Sequence, residues 1–129
     1  MTEQPGFLAN SPVALVIGCG GLGSSIARAL GRRHPLVMVD IDAARLGDVV
    51  EGLRYEGYTV SGELCDITDA AQTAALGAAM ARGPGVRALA VVAAVGKSIG
   101  SWKKMMEIDF IGARRIADAV GPSMVRGGA

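Results

Sequence analysis

The sequence predicts an α/β domain built on a doubly wound parallel sheet. Three observations carry that reading. Apolar runs and helix-patterned stretches alternate four times along the 129 residues. Three of the four runs are almost continuously apolar, as strands covered on both faces require. A cluster of glycines stands where the first run gives way to the first helix, in "VIGCGGLGSS". Alternation of this kind implies parallel strands joined by crossover helices.

Residues 1–12 form a polar lead-in that ends at Pro12, and residues 13–129 form the domain. Val13 to Gly18 is the first strand. Residues 22–33 follow as a helix, with Leu22, Ile26, Ala29 and Leu30 on one face. Arg32 and Arg33 are expected at its C-terminus, where the dipole favours cations. "PLVMVD" (35–40) is the second strand. Asp42 caps a helix over 43–56, and Gly57 stops it. "YTVSGELCD" (58–66) alternates loosely and is the third strand. Thr68 and Asp69 can cap a helix that runs to Arg82 and closes on "GPG". "VRALAVVAAVG" (86–96) is the fourth strand, and a long helix is expected from Ser101 to about Val125.

Composition excludes several classes. Formal net charge is +1, so nothing draws the chain to nucleic acid or to an anionic membrane. No apolar run reaches the length of a membrane span, and the N-terminus lacks the pattern of a signal peptide. Cys19 and Cys65 make neither a metal spacing nor a disulfide framework, which suits a reducing cytoplasm.

Gly18, Gly20 and Gly23 fit G-x-G-x-x-G, with Gly21 and Leu22 between them. The first glycine allows the tight turn, the second lets a pyrophosphate approach the backbone, and the third lets helix and strand pack closely. Free N–H groups and the helix dipole then face the anion. Asp40 ends the second strand, beside Ile41. A carboxylate there can accept the ribose hydroxyls of an adenosine and repels a 2′-phosphate. The pattern therefore points to NAD rather than NADP. His34 reads as a loop residue and Cys19 as a small filler.

With these residues in place, the chain resembles the short-chain dehydrogenase/reductase family over residues 13–129. The resemblance implies a Rossmann-like sheet of order 3-2-1-4 with its C-terminal strands missing. "CDITD" is similar to the family's acidic segment, which implies that Asp66 meets the adenine amino group and Ile67 flanks the ring. "VAAVG" (92–96) falls at the family's Asn-Asn-Ala-Gly turn, so Ala93, Ala94 and Gly96 would line the cofactor. "EIDFIG" (107–112) falls at Val-Asn-x-x-Gly, which places Asp109 at the catalytic asparagine. An ionised carboxylate cannot donate the hydrogen bonds an amide can. Asp109 thus either organises water or is a helix-surface acid.

Other departures stand out. The glycine loop is shorter than the family's G-x-x-x-G-x-G. The serine and Tyr-x-x-x-Lys of the family's chemistry are absent, because Thr59 and Gly62 stand four residues after Tyr55 and Tyr58. The expectation is a fragment or truncated form of an NAD-dependent alcohol/ketone oxidoreductase, inactive alone, with small molecules as its substrates. Ser98, past the fourth strand with Lys97 and Ser101, has no base in its motif context. One rival is a non-catalytic NAD-binding regulatory module. Another is an ATP-binding domain of the adenylating-enzyme type, whose Asp-x-Asp "VDID" resembles but whose Asn-x-x-Arg segment is absent. Ligand and turnover separate the three. Within the fourth strand, "ALAVVAAV" shows no charge, proline or bulge signal that would protect a free edge, and the last helix is apolar on more than one face. The edge leads to the expectation of a homo-oligomer; the helix face is covered either by a second copy, as the resemblance implies, or by further C-terminal elements.

Overall fold

The structure, a computed structural model, describes residues 11–83, 85–92 and 112–128. Its elements run β1 (Val13–Ile17), α1 (Gly21–Leu30), β2 (Leu36–Asp40), α2 (Ala43–Tyr55), β3 (Val60–Leu64), α3 (Ala70–Arg82), β4 (Val86–Val91) and α4 (Ala113–Gly128). The strands form one parallel sheet of order β3-β2-β1-β4, as the resemblance implies.

The period-two geometry of the strands sorts their side chains into two cores. Ala14, Val16, Leu36 and Met38 point to one face, where they meet Ala27 of α1 and Leu46, Val50 and Leu53 of α2. Leu15, Ile17, Val37 and Val39 point to the other, against Leu76 of α3 and Ile116 and Val120 of α4. Helices therefore cover both faces, which is why β1 and β2 are apolar at nearly every position. The β1–β4 register shifts between Val13 and Ala14, so that Val13 pairs with Val86 and Ala14 with Ala88. Exposed Arg87 is the extra residue, and the shift lets Val86 join Leu89 and Val91 on the α3/α4 side. The expectation of an unbroken fourth strand is corrected to that extent.

Local signals explain most boundaries. Asp42 caps α2 by accepting from the Arg45 N–H, and Asp69 caps α3 by accepting from Ala71 and Gln72. Thr68 does not cap; its N–H and hydroxyl both donate to Asp66 Oδ1. α2 ends in a paired turn, with Gly57 N–H donating to Arg54 O and Tyr58 N–H to Leu53 O. Arg28 of α1 forks onto the carboxylate of Glu56 at that end, at 2.8 and 2.9 Å.

Three expectations change. α1 stops at Leu30, and Arg32 and Arg33 lie in the turn beyond it. Its buried residues are Gly23 and Ala27, while Leu22 and Ala29 are exposed, because close contact between Gly23 and Gly18 sets the rotation of the helix. α4 runs past the expected end near Val125 to Gly128. Pro122 removes one hydrogen bond from the helix interior. The half-buried Met124 beyond it still packs on the α3/α4-side core, in line with Ile116 and Val120, and this burial carries the helix past the proline. The part of the long helix expected before Gly112, and the end of the fourth strand past Val92, lie outside the described residues.

α3 and α4 approach closely at Gly77, where an added Cβ would stand 2.5 Å from the Ala119 carbonyl oxygen. Gly77→Ala should therefore lower stability by about 1–3 kcal/mol through overpacking. Gly52, exposed within α2, has no heavy atom within 4 Å of such a Cβ. Gly52→Ala should raise stability by about 0.5–1 kcal/mol. Urea midpoints of the two variants are expected to move in opposite directions.

Candidate functional site

The C-terminal edge of the sheet gathers the glycine turn, the end of β2 and the loop after β3. This is where open α/β sheets bind ligands. Gly18 holds φ at 106°, a left-handed conformation that favours glycine, and its N–H donates to Val39 O at 2.7 Å. A Cβ on Gly23 would fall 1.8 Å from Gly18 O, so only hydrogen fits between turn and helix. Gly20 and Gly21 face open space. Gly20 is the N-cap of α1, makes no side-chain cap bond, and is followed by no acid in the first turn. The helix start thus presents backbone N–H groups and a positive dipole end outward, with Leu22 67% exposed beside them.

Asp40 is 6% exposed and accepts four hydrogen bonds. Oδ2 takes the Cys19 N–H at 2.9 Å and Arg45 Nε at 3.1 Å. Oδ1 takes the Asp42 N–H at 2.9 Å and Arg45 Nη2 at 3.0 Å. Burial pushes the carboxyl up, but the Arg45 fork, the two backbone N–H groups and the Arg45 charge outweigh it. They hold Asp40 below the ordinary carboxylate range. The acid is therefore ionised at neutral pH and joined to the glycine turn.

Arg45 belongs to this site although sequence reasoning did not single it out. The signal was present: a cation in the first turn of a helix opposes the dipole and needs a carboxylate to offset it. The same geometry disposes of Cys19 as a nucleophile. Burial first, then the Asp40 charge, push its thiol up to about 11, against a smaller opposing effect of Arg45. Its Sγ lies 3.7 Å from Val39 O.

Ile41 is 64% exposed, and exposed Leu64 lies in register beside Asp40. Asp66 is half-buried, and its Oδ1 is engaged by Thr68. Ile67 packs among the core residues of the α3/α4 side, 5% exposed. Beside Asp40, the outward apolar side chains among the described residues are thus Ile41 and Leu64 rather than Ile67. Arg115 of α4 reaches across to donate from Nη1 to Thr68 O at 2.6 Å and Ile67 O at 3.2 Å. No periodicity signals that contact. Ala93, Ala94, Gly96, Lys97, Ser98, Ser101 and Asp109 lie outside the described residues. Among the described residues no three metal-ligating side chains cluster, and no helix is long and apolar enough to cross a membrane.

The sequence profile of the short chain dehydrogenase family matches residues 12–129. A putative ketoacyl reductase of the granaticin polyketide synthase from Streptomyces violaceoruber is 46% identical over 82 residues, 60% of this chain and 29% of that protein. The structure of actinorhodin polyketide ketoreductase with NADPH superposes with a TM-score of 0.82 at 26% identity, covering 95% of this chain and 51% of that one. A short chain dehydrogenase/reductase from Burkholderia phymatum in complex with NAD gives 0.75 at 27% identity, covering 95% and 47%. The chain spans about half the length of these solved structures.

Two outcomes follow from the site's geometry. Gly23→Ala should force the turn apart and cost about 2 kcal/mol or more, while Gly20→Ala is tolerated, as read by thermal melting. The second concerns acid. A depressed carboxylate contributes stability that is full above its unfolded pKa, about 4, and lost as pH falls through the lower folded value. Glu56, held down by the Arg28 fork, and Asp69, held down by Gln72, add to the same slope. Stability should therefore fall below about pH 4, and Asp40→Asn should flatten that part of the urea-midpoint profile without abolishing it.

Proposed function

Because this chain belongs to the short chain dehydrogenase family of oxidoreductases, we propose that it binds a nicotinamide dinucleotide across the ends of β1 and β2. NAD is the proposed partner in preference to NADP. The observation that carries this is the Cys19 N–H bond to Asp40: it joins an ionised acid to the anion-facing glycine turn. The turn from Gly18 to Gly23 meets the pyrophosphate, with Gly20 and Gly21 leaving its approach clear. Asp40 faces the adenosine ribose, where its charge opposes a 2′-phosphate. Ile41 and Asp66 flank the adenine side. A bound nicotinamide supplies or takes up a hydride.

The whole protein is proposed to act on small alcohols or ketones, in keeping with the ketoreductases it is similar to. A matched proton transfer at the substrate oxygen contributes about 10²–10⁴-fold in such chemistry. The 129 residues hold no Tyr-x-x-x-Lys for it. Tyr55, at the end of α2, and Tyr58 lie at the opposite edge of the sheet from the glycine turn. That placement favours a second reading for these 129 residues taken alone: NAD binding without turnover.

Calorimetry should show the chain binding NAD more tightly than NADP, with Asp40→Asn weakening NAD by roughly 1–3 kcal/mol. Tighter NADP binding by the wild type would overturn the preference. NADH absorbance with a panel of ketones should stay flat for the 129 residues and fall for a longer chain that carries the proton-transfer motif. A longer chain that binds NAD but stays silent would favour the regulatory reading.

A further inference from the structure

A carboxylate offers about four lone-pair sites on its two oxygens. At Asp40 the protein's own donors take them all: Cys19 N–H and Arg45 Nε on Oδ2, Asp42 N–H and Arg45 Nη2 on Oδ1. A ribose diol that binds this carboxylate needs the same sites. Something must therefore yield.

The three donor residues differ in how easily they can. The Cys19 N–H is part of the glycine turn, pinned by the Gly18 N–H to Val39 O. The Asp42 N–H belongs to the N-cap of α2, whose carbonyl accepts from Leu46. Neither can withdraw without opening the turn or the helix. Arg45 is different. Its guanidinium hangs from the first turn of α2 on a side chain 51% exposed, and can rotate into water. Only this half of the pair is solvated: the guanidinium can be hydrated while the ribose hydroxyls take over its bonds to the buried carboxylate.

We propose that Arg45 is an internal competitor for the adenosine-ribose subsite: its guanidinium occupies the Asp40 lone pairs that the ribose hydroxyls require, and dinucleotide binding displaces it. The proposal rests on the reading above that the ribose meets Asp40. Apparent affinity is then reduced by the fraction of molecules in which Arg45 holds the acid. The fork also keeps Asp40 ionised and aimed until the ribose arrives.

The test is calorimetry with NAD on the full chain as wild type, Arg45→Met and Arg45→Lys, with melting temperatures measured alongside. Removing the competitor should tighten NAD about three- to tenfold. Lysine keeps the charge but lacks the fork, so Arg45→Lys should fall between. Unchanged or weaker NAD binding by a folded Arg45→Met overturns the proposal. A readout on the wild type does not depend on any variant. The Arg45 Nε–H resonance, protected by Asp40, should lose its protection when NAD saturates the site; retained protection also overturns the proposal. Wild type that gives no heat while Arg45→Met binds is the competitor in its strongest form. No binding by either overturns the dinucleotide reading, and the competitor with it.

Discussion

The carboxylate of Asp40 holds the C-terminal edge of the sheet together. It is buried at the end of a central strand, where an unpaired charge would cost several kcal/mol. Its partners come from three directions: the turn after β1, the entry to α2 and a side chain one helical turn on. Each bond offsets part of the desolvation, and each also fixes the position of a loop. The glycine turn stays aligned with the start of α2 because both donate to the same group. An apolar residue of similar size, such as leucine, would leave the Cys19 N–H without its acceptor in a buried place.

Small residues do the complementary work in the packing. The contact of Gly23 with Gly18 sets the seat of α1, the approach of Gly77 to Ala119 sets the distance between α3 and α4, and Gly62 lies under Leu46 and Val50 of α2. Helices drawn this close leave little volume for rings, which accounts for a domain rich in glycine and poor in aromatics. The cost is tolerance: such interfaces cannot absorb a methyl group by rotating a side chain, because the neighbour at Gly23 and Gly77 is backbone.

Strand positions were legible because they rest on one-dimensional signals, apolar runs and capping acids, whereas the sheet order came from the family resemblance. Asp42 and Asp69 announce α2 and α3 by type and position alone. The helix expected to about Val125 does pass Pro122, held by the burial of Met124, and overruns that end only to Gly128. The rotation of α1 was misjudged. Apolarity favoured Leu22 for the inner face, but a backbone contact at Gly23 decides it. At the site, Gly18, Gly23 and Asp40 could be read from spacing. The hold of Arg45 on Asp40 and the reach of Arg115 to the loop after β3 depend on distances that no periodicity encodes.

The reach of Arg115 also sets which parts of the molecule open together. Its bonds to the Ile67 and Thr68 carbonyls span 48 and 47 residues of chain. The loop that follows β3 is short, and its Asp66, Thr68 and Asp69 are only half-buried, so by itself it would open at lower free energy than a buried helix. Anchored to α4, it shares the fate of a helix whose Ile116 and Val120 are fully buried. Opening of the loop and undocking of the helix thus become one event. In native-state amide exchange, the N–H groups around Thr68 and those in the middle of α4 belong to a single cooperative unit.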